Sequence, residues 1–241
     1  MSKLEAKNLE KTIKKTKIIH DVSLEIQSGE VVGLLGPNGA GKTTSFYMIC
    51  GLILPTNGKV FLDSKDITKE PLNKRAKIGI GYLPQESSIF KDLSVEDNLL
   101  LAAQIFYQDP DLLDKKVEQM LELLSINPIR HRKGLSLSGG ERRRCEIARS
   151  LICNPKFLLL DEPFAGVDPI AVNEIQNLIK DLKAMNIGVL ITDHNVRETL
   201  AICDRAYVIR SGRLLASGNA NEIANNDDVK KYYLGNEFKL E

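Results

Sequence analysis

Gly36-Pro37-Asn38-Gly39-Ala40-Gly41-Lys42-Thr43-Thr44 is a complete G-x-x-x-x-G-K-[ST] stretch, set between the apolar run Val31–Leu35 and a helix-like apolar stretch at 43–50. Glycines at these spacings let successive backbone N–H groups turn inward on an anion, and the helix that follows adds the positive end of its dipole. Lys42 is long enough to reach β- and γ-phosphate oxygens, and Thr43 offers a hydroxyl to magnesium. The stretch therefore reads as a polyphosphate cradle joining a buried strand to a helix.

Working outward, two further apolar runs, 157–160 (FLLL) and 189–192 (VLIT), are too short for helices and rich in strand formers. Like Val31–Leu35, each ends in polar chemistry: Gly36 to Lys42 after the first, Asp161 and Glu162 after the second, Asp193 and His194 after the third. Buried parallel strands of an open α/β sheet carry their ligand at such ends. Asp161 is expected to serve the metal and Glu162 the attacking water. Segments 4–8, 22–26 and 60–63 alternate or carry β-branched residues between Gly and Asn turns, which predicts a smaller antiparallel patch near the N-terminus. From Ser94 to about Ile152 the period becomes helical, with Leu113, Val117, Met120, Leu121 and Leu124 on one face.

The chain has 241 residues, with 33 Lys+Arg against 32 Asp+Glu for a net charge of +1. There is no net field to draw it onto nucleic acid or lipid. With 43% hydrophobic and 27% charged residues the composition is globular, excluding disorder, collagen and a simple coiled coil. The longest charge-free stretch, 43–58, is 16 residues long and interrupted by polar residues, short of a membrane span. No secretory signal is visible at the N-terminus, which reads as cytoplasmic. Cys50, Cys145, Cys153 and Cys203 form no C-x-x-C pair and read as small buried hydrophobes. Arg142, Arg143 and Arg144 read as solvated or paired rather than as a nucleic-acid patch.

Ser138-Gly139-Gly140-Glu141 has the S-x-x-E spacing of a capping box at the head of a helix. Capping does not account for two adjacent glycines in a first turn, where each costs about 1 kcal/mol against Ala and leaves bare N–H groups. Such an end suits an anion. With only one phosphate cradle in the chain, it is expected to cap a nucleotide held by another copy.

Taken in order, these residues resemble the ATP-binding cassette (ABC) ATPases. The resemblance implies an α/β P-loop NTPase fold with a mainly parallel sheet: residues 1–86 and 154–241 as the nucleotide-binding core with its β subdomain, and about 87–153 as a helical subdomain. It implies ATP and Mg2+ as cofactors, Gln85 beside the magnesium, His194 at the γ-phosphate, and Asp168 with residues 138–141 reaching the other copy's nucleotide. Ile13 stands where the family usually has an aromatic residue on adenine, so the base would rest on aliphatic side chain and GTP is less firmly excluded than elsewhere. Segments 79–86, 88–90, 93–95, 139–144, 163–169, 193–198 and 233–240 resemble the branch of the family that powers lipopolysaccharide export. That branch implies a homodimer on the cytoplasmic face of the inner membrane, held by two membrane permease subunits, with no nucleic acid bound. Ile89 and Phe90 fall near the groove for a permease helix, core being the other reading. The alternative cargo assignment is a branched-chain amino-acid type importer.

Overall fold

A basic hairpin opens the chain. β1 (Lys3–Ile13) and β2 (Thr16–Gln27) pair antiparallel through Lys14 and Lys15, whose φ angles of 45° and 72° give the turn the twist that two-residue hairpins need. The computed structural model describes residues 1–235, 237, 238 and 240; Asn236 and Lys239, part of the 233–240 segment singled out in the sequence, and Glu241 lie outside the described residues. β3 (Val31–Leu35) is buried along its whole length and leads through the glycine loop into α1 (Lys42–Cys50). β4 (Asn57–Leu62) pairs antiparallel with both β1 and β5 (Lys65–Asp66), completing the expected antiparallel patch. α2 (Leu72–Lys77) then leads into β6 (Ile80–Leu83).

Three helices follow, each started by a side-chain cap that fixes where it begins. α3 (Val95–Ala103) is capped by Ser94, α4 (Pro110–Leu123) by Asp109 with Pro110 in its first turn, and α5 (Gly139–Leu151) by Ser138. Val117, Met120, Leu121 and Leu124 are buried, as their spacing predicts, and Leu113 packs at the edge of the same core. The chain returns to the sheet through β7 (Phe157–Asp161), α6 (Pro169–Ala184), β8 (Gly188–Thr192), α7 (Val196–Leu200), β9 (Arg205–Arg210), β10 (Arg213–Gly218) and α8 (Ala220–Asn225).

Among the described residues the strands form one sheet in the order β5-β4-β1-β2-β10-β9-β3-β8-β7-β6. From β9 to β6 every pairing is parallel. Alternation along the strands sends Leu158, Leu160, Val189 and Ile191 toward α3 to α6, and Leu159, Leu190, Val32 and Leu34 toward α1 and the antiparallel patch. The consequence for function is positional. β3, β8 and β7 are neighbours, so the three strand ends singled out in the sequence lie side by side, with the end of β6 next in line. No helix among the described residues is long and apolar enough to cross a membrane.

Candidate active site

The glycine loop is built around positions that only glycine fits. Gly36, at φ 144°, lies so close to β9 that a Cβ would stand 2.1 Å from the Ile209 carbonyl oxygen. Gly41, at φ 103°, is the N-cap of α1 and offers no side chain, so the first N–H groups of that helix stay bare for an anion. The β9–β10 turn supports the loop from behind, Gly212 N–H donating to Ala40 O at 2.8 Å. Lys42, 8% exposed, donates from Nζ to Gly36 O at 2.6 Å and Pro37 O at 3.2 Å. Burial holds its pKa below the usual lysine range, against the pull of the Glu162 and Asp193 carboxylates.

At the end of β7, Asp161 is almost fully buried and its Oδ1 accepts the Thr192 hydroxyl at 2.7 Å. Glu162 follows with φ 46°, a left-handed conformation costly for any side chain but held here by its N–H donating to Thr192 O at 2.7 Å. One oxygen of that side chain gathers two distant residues: Gln85 Nε2 donates to Glu162 Oε2 at 2.9 Å, and His194 Nδ1 lies 3.3 Å from it. Gln85 leaves β6, Glu162 leaves β7 and His194 leaves β8, so strand order alone brings the three together. Asp193, to which the sequence reading gave no role, is fully buried and accepts the N–H groups of Phe164 (2.9 Å) and Asn195 (2.8 Å). It thereby fixes the chain on both sides of the Glu162–His194 pair. An acid between a strand and a His was the available signal.

Burial raises the carboxyl pKa of both Asp161 and Asp193 above the ordinary Asp range. A carboxyl raised on folding costs stability progressively as pH climbs from that range through its folded pKa. Asp161→Asn keeps an oxygen for the Thr192 hydroxyl and removes the buried charge. Its nucleotide-free form is expected to melt about 2–4 °C higher at pH 7, corresponding to about 1 kcal/mol. Thermal scans should show that advantage shrinking as the pH is lowered; a variant no more stable at neutrality would contradict the assignment of burial as the dominant influence.

Ser138 and Glu141 form the capping box, Ser138 N–H donating to Glu141 Oε2 at 2.8 Å and Glu141 N–H to Ser138 Oγ at 3.3 Å. A Cβ on Gly139 would meet no atom within 4 Å, so α5 is open at that position, whereas Gly140 faces Ala171 and Glu174 of α6. Asp168 caps α6, its Oδ1 accepting Ile170 and Ala171 N–H groups at 3.0 Å each. Among the described residues, no hydrogen bond joins residues 138–141 or Asp168 to the glycine loop of the same chain. Ile13 is exposed at the hairpin end, while Ile19 of β2 lies against Gly41.

Two expectations change. Ile89 is a core residue, packed against Gly134 beneath the loop, and leaves only Phe90 on the surface, its ring 4.7 Å from the Arg149 guanidinium. The three arginines are paired, as expected: Arg142 with Leu137 O, Arg144 with Glu174, and Arg143, which is buried, with Glu146 and Pro84 O. Cys50 and Cys145 are buried, whereas Cys153 and Cys203 are only partly so.

The donors around the cradle, the Thr43 hydroxyl, the Asp161 carboxylate and the Gln85 amide oxygen, are hard oxygens of the kind that hold hydrated magnesium together with phosphates. Among the described residues no His/Cys/Asp/Glu cluster stands ready to hold a metal alone, and a magnesium shared with phosphates needs none. A glycine cradle on a parallel sheet, with a carboxylate beside it held by an amide and an imidazole, defines a P-loop nucleotide-hydrolysing enzyme.

Comparison with known proteins narrows the class. The ABC transporter family matches residues 19–165. Over 241 residues and the whole length of both chains, this protein is 53% identical to the lipopolysaccharide export system ATP-binding protein LptB of Escherichia coli and to that of Haemophilus influenzae. Its fold is similar to the ADP conformation of MJ1267, an ATP-binding cassette of an ABC transporter, with a TM-score of 0.88 and 30% identity across 98% of this chain and 99% of that one. It is also similar to the dimeric post-hydrolysis state of the cassette MJ0796 bound to ADP and Pi, with a TM-score of 0.78 and 26% identity across 90% and 98%. The chain belongs to the ABC transporter family, as an ATP-binding cassette that hydrolyses ATP to power transport.

Proposed function

We propose that this chain is the motor subunit of a lipopolysaccharide exporter, working as a homodimer at the cytoplasmic face of the inner membrane against two membrane permease subunits. The observation that carries this reading is identity above one half, maintained from end to end, with proteins named for that export system.

In this reading residues 36–44 cradle the triphosphate, and Thr43, Asp161 and Gln85 hold magnesium, which when bound neutralises charge on the phosphate oxygens. Glu162 orients and polarises the attacking water. Lys42 and His194 stabilise charge on the transferring phosphoryl group. Ser138, Gly139, Gly140, Glu141 and Asp168 face the nucleotide of the second copy, a role supported by the open position at Gly139 and by the lack, among the described residues, of any hydrogen bond from this set to the glycine loop of its own chain. The helical subdomain, 87–153, presents Phe90 to a permease, and Ile13 lies against the adenine.

Ser138→Arg should leave nucleotide binding within about twofold while abolishing ATP-dependent dimerisation in gel filtration; selective loss of binding would contradict the sandwich. The reading as a whole is tested with a tagged Glu162→Gln chain, solubilised gently from native membranes with ATP and analysed by mass spectrometry. Two related permeases of a lipopolysaccharide exporter, in proportion to two copies of this chain, are expected. Amino-acid permeases would overturn the cargo and keep the motor; soluble partners alone would overturn transport.

A further inference from the structure

The loop that carries Gln85 is gripped by α5. Arg143 Nη1 donates to Pro84 O at 3.0 Å and to Glu146 Oε2 at 3.3 Å. The other oxygen of Glu146 accepts both the Ser87 hydroxyl and the Ser88 N–H at 2.8 Å. Arg149 Nη1 donates to Ser88 O at 2.5 Å. Arg143, Glu146 and Arg149 stand three residues apart, on one face of the helix. Arg143 and Glu146 are only 6% and 3% exposed.

A buried ion pair is a poor way to hold a helix against a loop, since well-packed apolar side chains of similar volume do as well or better. What the charged set supplies, and apolar packing cannot, is a fixed position for particular backbone groups. Those groups are Pro84 O, Ser88 N–H and Ser88 O, which bracket Gln85. Gln85 in turn is the residue that reaches Glu162. The remaining nitrogens of Arg143, Nε and Nη2, find no partner among the described residues, so its placement depends on Pro84 and Glu146.

We propose that Arg143, Glu146 and Arg149 are positioning residues that set the Gln85–Glu162 contact. The helix whose first turn faces the second copy thereby also governs how Glu162 is held. This rests on the reading of Glu162 as the residue that orients water, and it adds a device within the chain that makes that orientation depend on the seating of α5.

Ser87→Ala is the mildest test, because Ser87 is exposed and the change deletes a single hydrogen bond to Glu146. In steady-state phosphate release by the purified full chain, kcat is expected to fall by about threefold to tenfold, the size of one such bond, with KM for ATP within about twofold and an unchanged melting temperature. Glu146→Gln should lower kcat further. In a Gln85→Ala background the Ser87→Ala change should have no further effect, which a merely structural role would not produce. Wild-type kcat in Ser87→Ala, or an equal loss with and without Gln85, would overturn the proposal, and Ser87→Ala decides it alone if Glu146→Gln does not fold. Glu162→Gln measured alongside separates the two levels: hydrolysis surviving in that variant would defeat the role of Glu162, whereas its loss with Ser87→Ala unaffected would defeat only the positioning set.

Discussion

Glu162→Gln is expected to bind ATP as tightly as the natural chain and to hydrolyse it roughly 10²- to 10⁴-fold more slowly, the range that a positioned general base supplies. The substitution is nearly isosteric, so the left-handed turn at φ 46° and the N–H bond to Thr192 O can persist. An amide oxygen can still accept from Gln85 Nε2, which now sits 2.9 Å from Glu162 Oε2. What is lost is the carboxylate charge and the ability to take a proton from water. The groups proposed to hold triphosphate, namely Lys42, the glycine loop and the bare end of α1, follow β3, two strands over from β7, and make no hydrogen bond to Glu162 among the described residues. Binding and chemistry should therefore separate. Retained nucleotide on a spin column, near-absent phosphate release and a dimer that persists with ATP form the expected set. Turnover within tenfold of the natural chain would remove Glu162 from the role of base.

The parts of this site that could be read in the sequence are those written contiguously. The glycine loop, the acidic pair after 157–160 and the acid-His pair after 189–192 each follow an uninterrupted apolar run, and those runs became the adjacent strands β3, β7 and β8. β6 was not legible as a strand because it is four residues long and contains Gly81. β9 begins and ends with an arginine, which masks its buried centre, and β10 has no buried run to read, yet β9 is what forces Gly36 to be glycine. The same limit applies to charge. Three consecutive arginines read as solvated or paired in sequence, and nothing local indicates which is paired or that the middle one is buried against Pro84 and Glu146. Ile89 likewise cannot be told from a surface contact until Gly134 is seen to cover it. In each case the deciding partner is distant along the chain.

Gly36→Ala carries the other large effect, and it separates a motif glycine that is sterically required from one that is not. A Cβ at Gly36 would stand 2.1 Å from Ile209 O and 3.1 Å from Ile209 C, at a φ of 144° that an L side chain rarely adopts. The obstacle is backbone, and β9 cannot retreat easily because Leu35 and Val208 are paired next to it. The loop must move instead, and Gly36 O, which anchors Lys42 Nζ at 2.6 Å, moves with it. Strain of about 3 kcal/mol should lower the melting temperature by about 6–12 °C, and misplacing Lys42 should weaken ATP binding at least about a hundredfold. At Gly39 the φ of 74° is also left-handed, but an added Cβ would meet nothing within 4 Å. Gly39→Ala should therefore cost only the conformational penalty, about 1–2 kcal/mol, with a smaller loss of affinity. Calorimetry and nucleotide titration on the two variants side by side distinguish the accounts: equal losses would mean that conformational freedom alone explains both glycines, whereas a clear excess at Gly36 assigns the difference to β9.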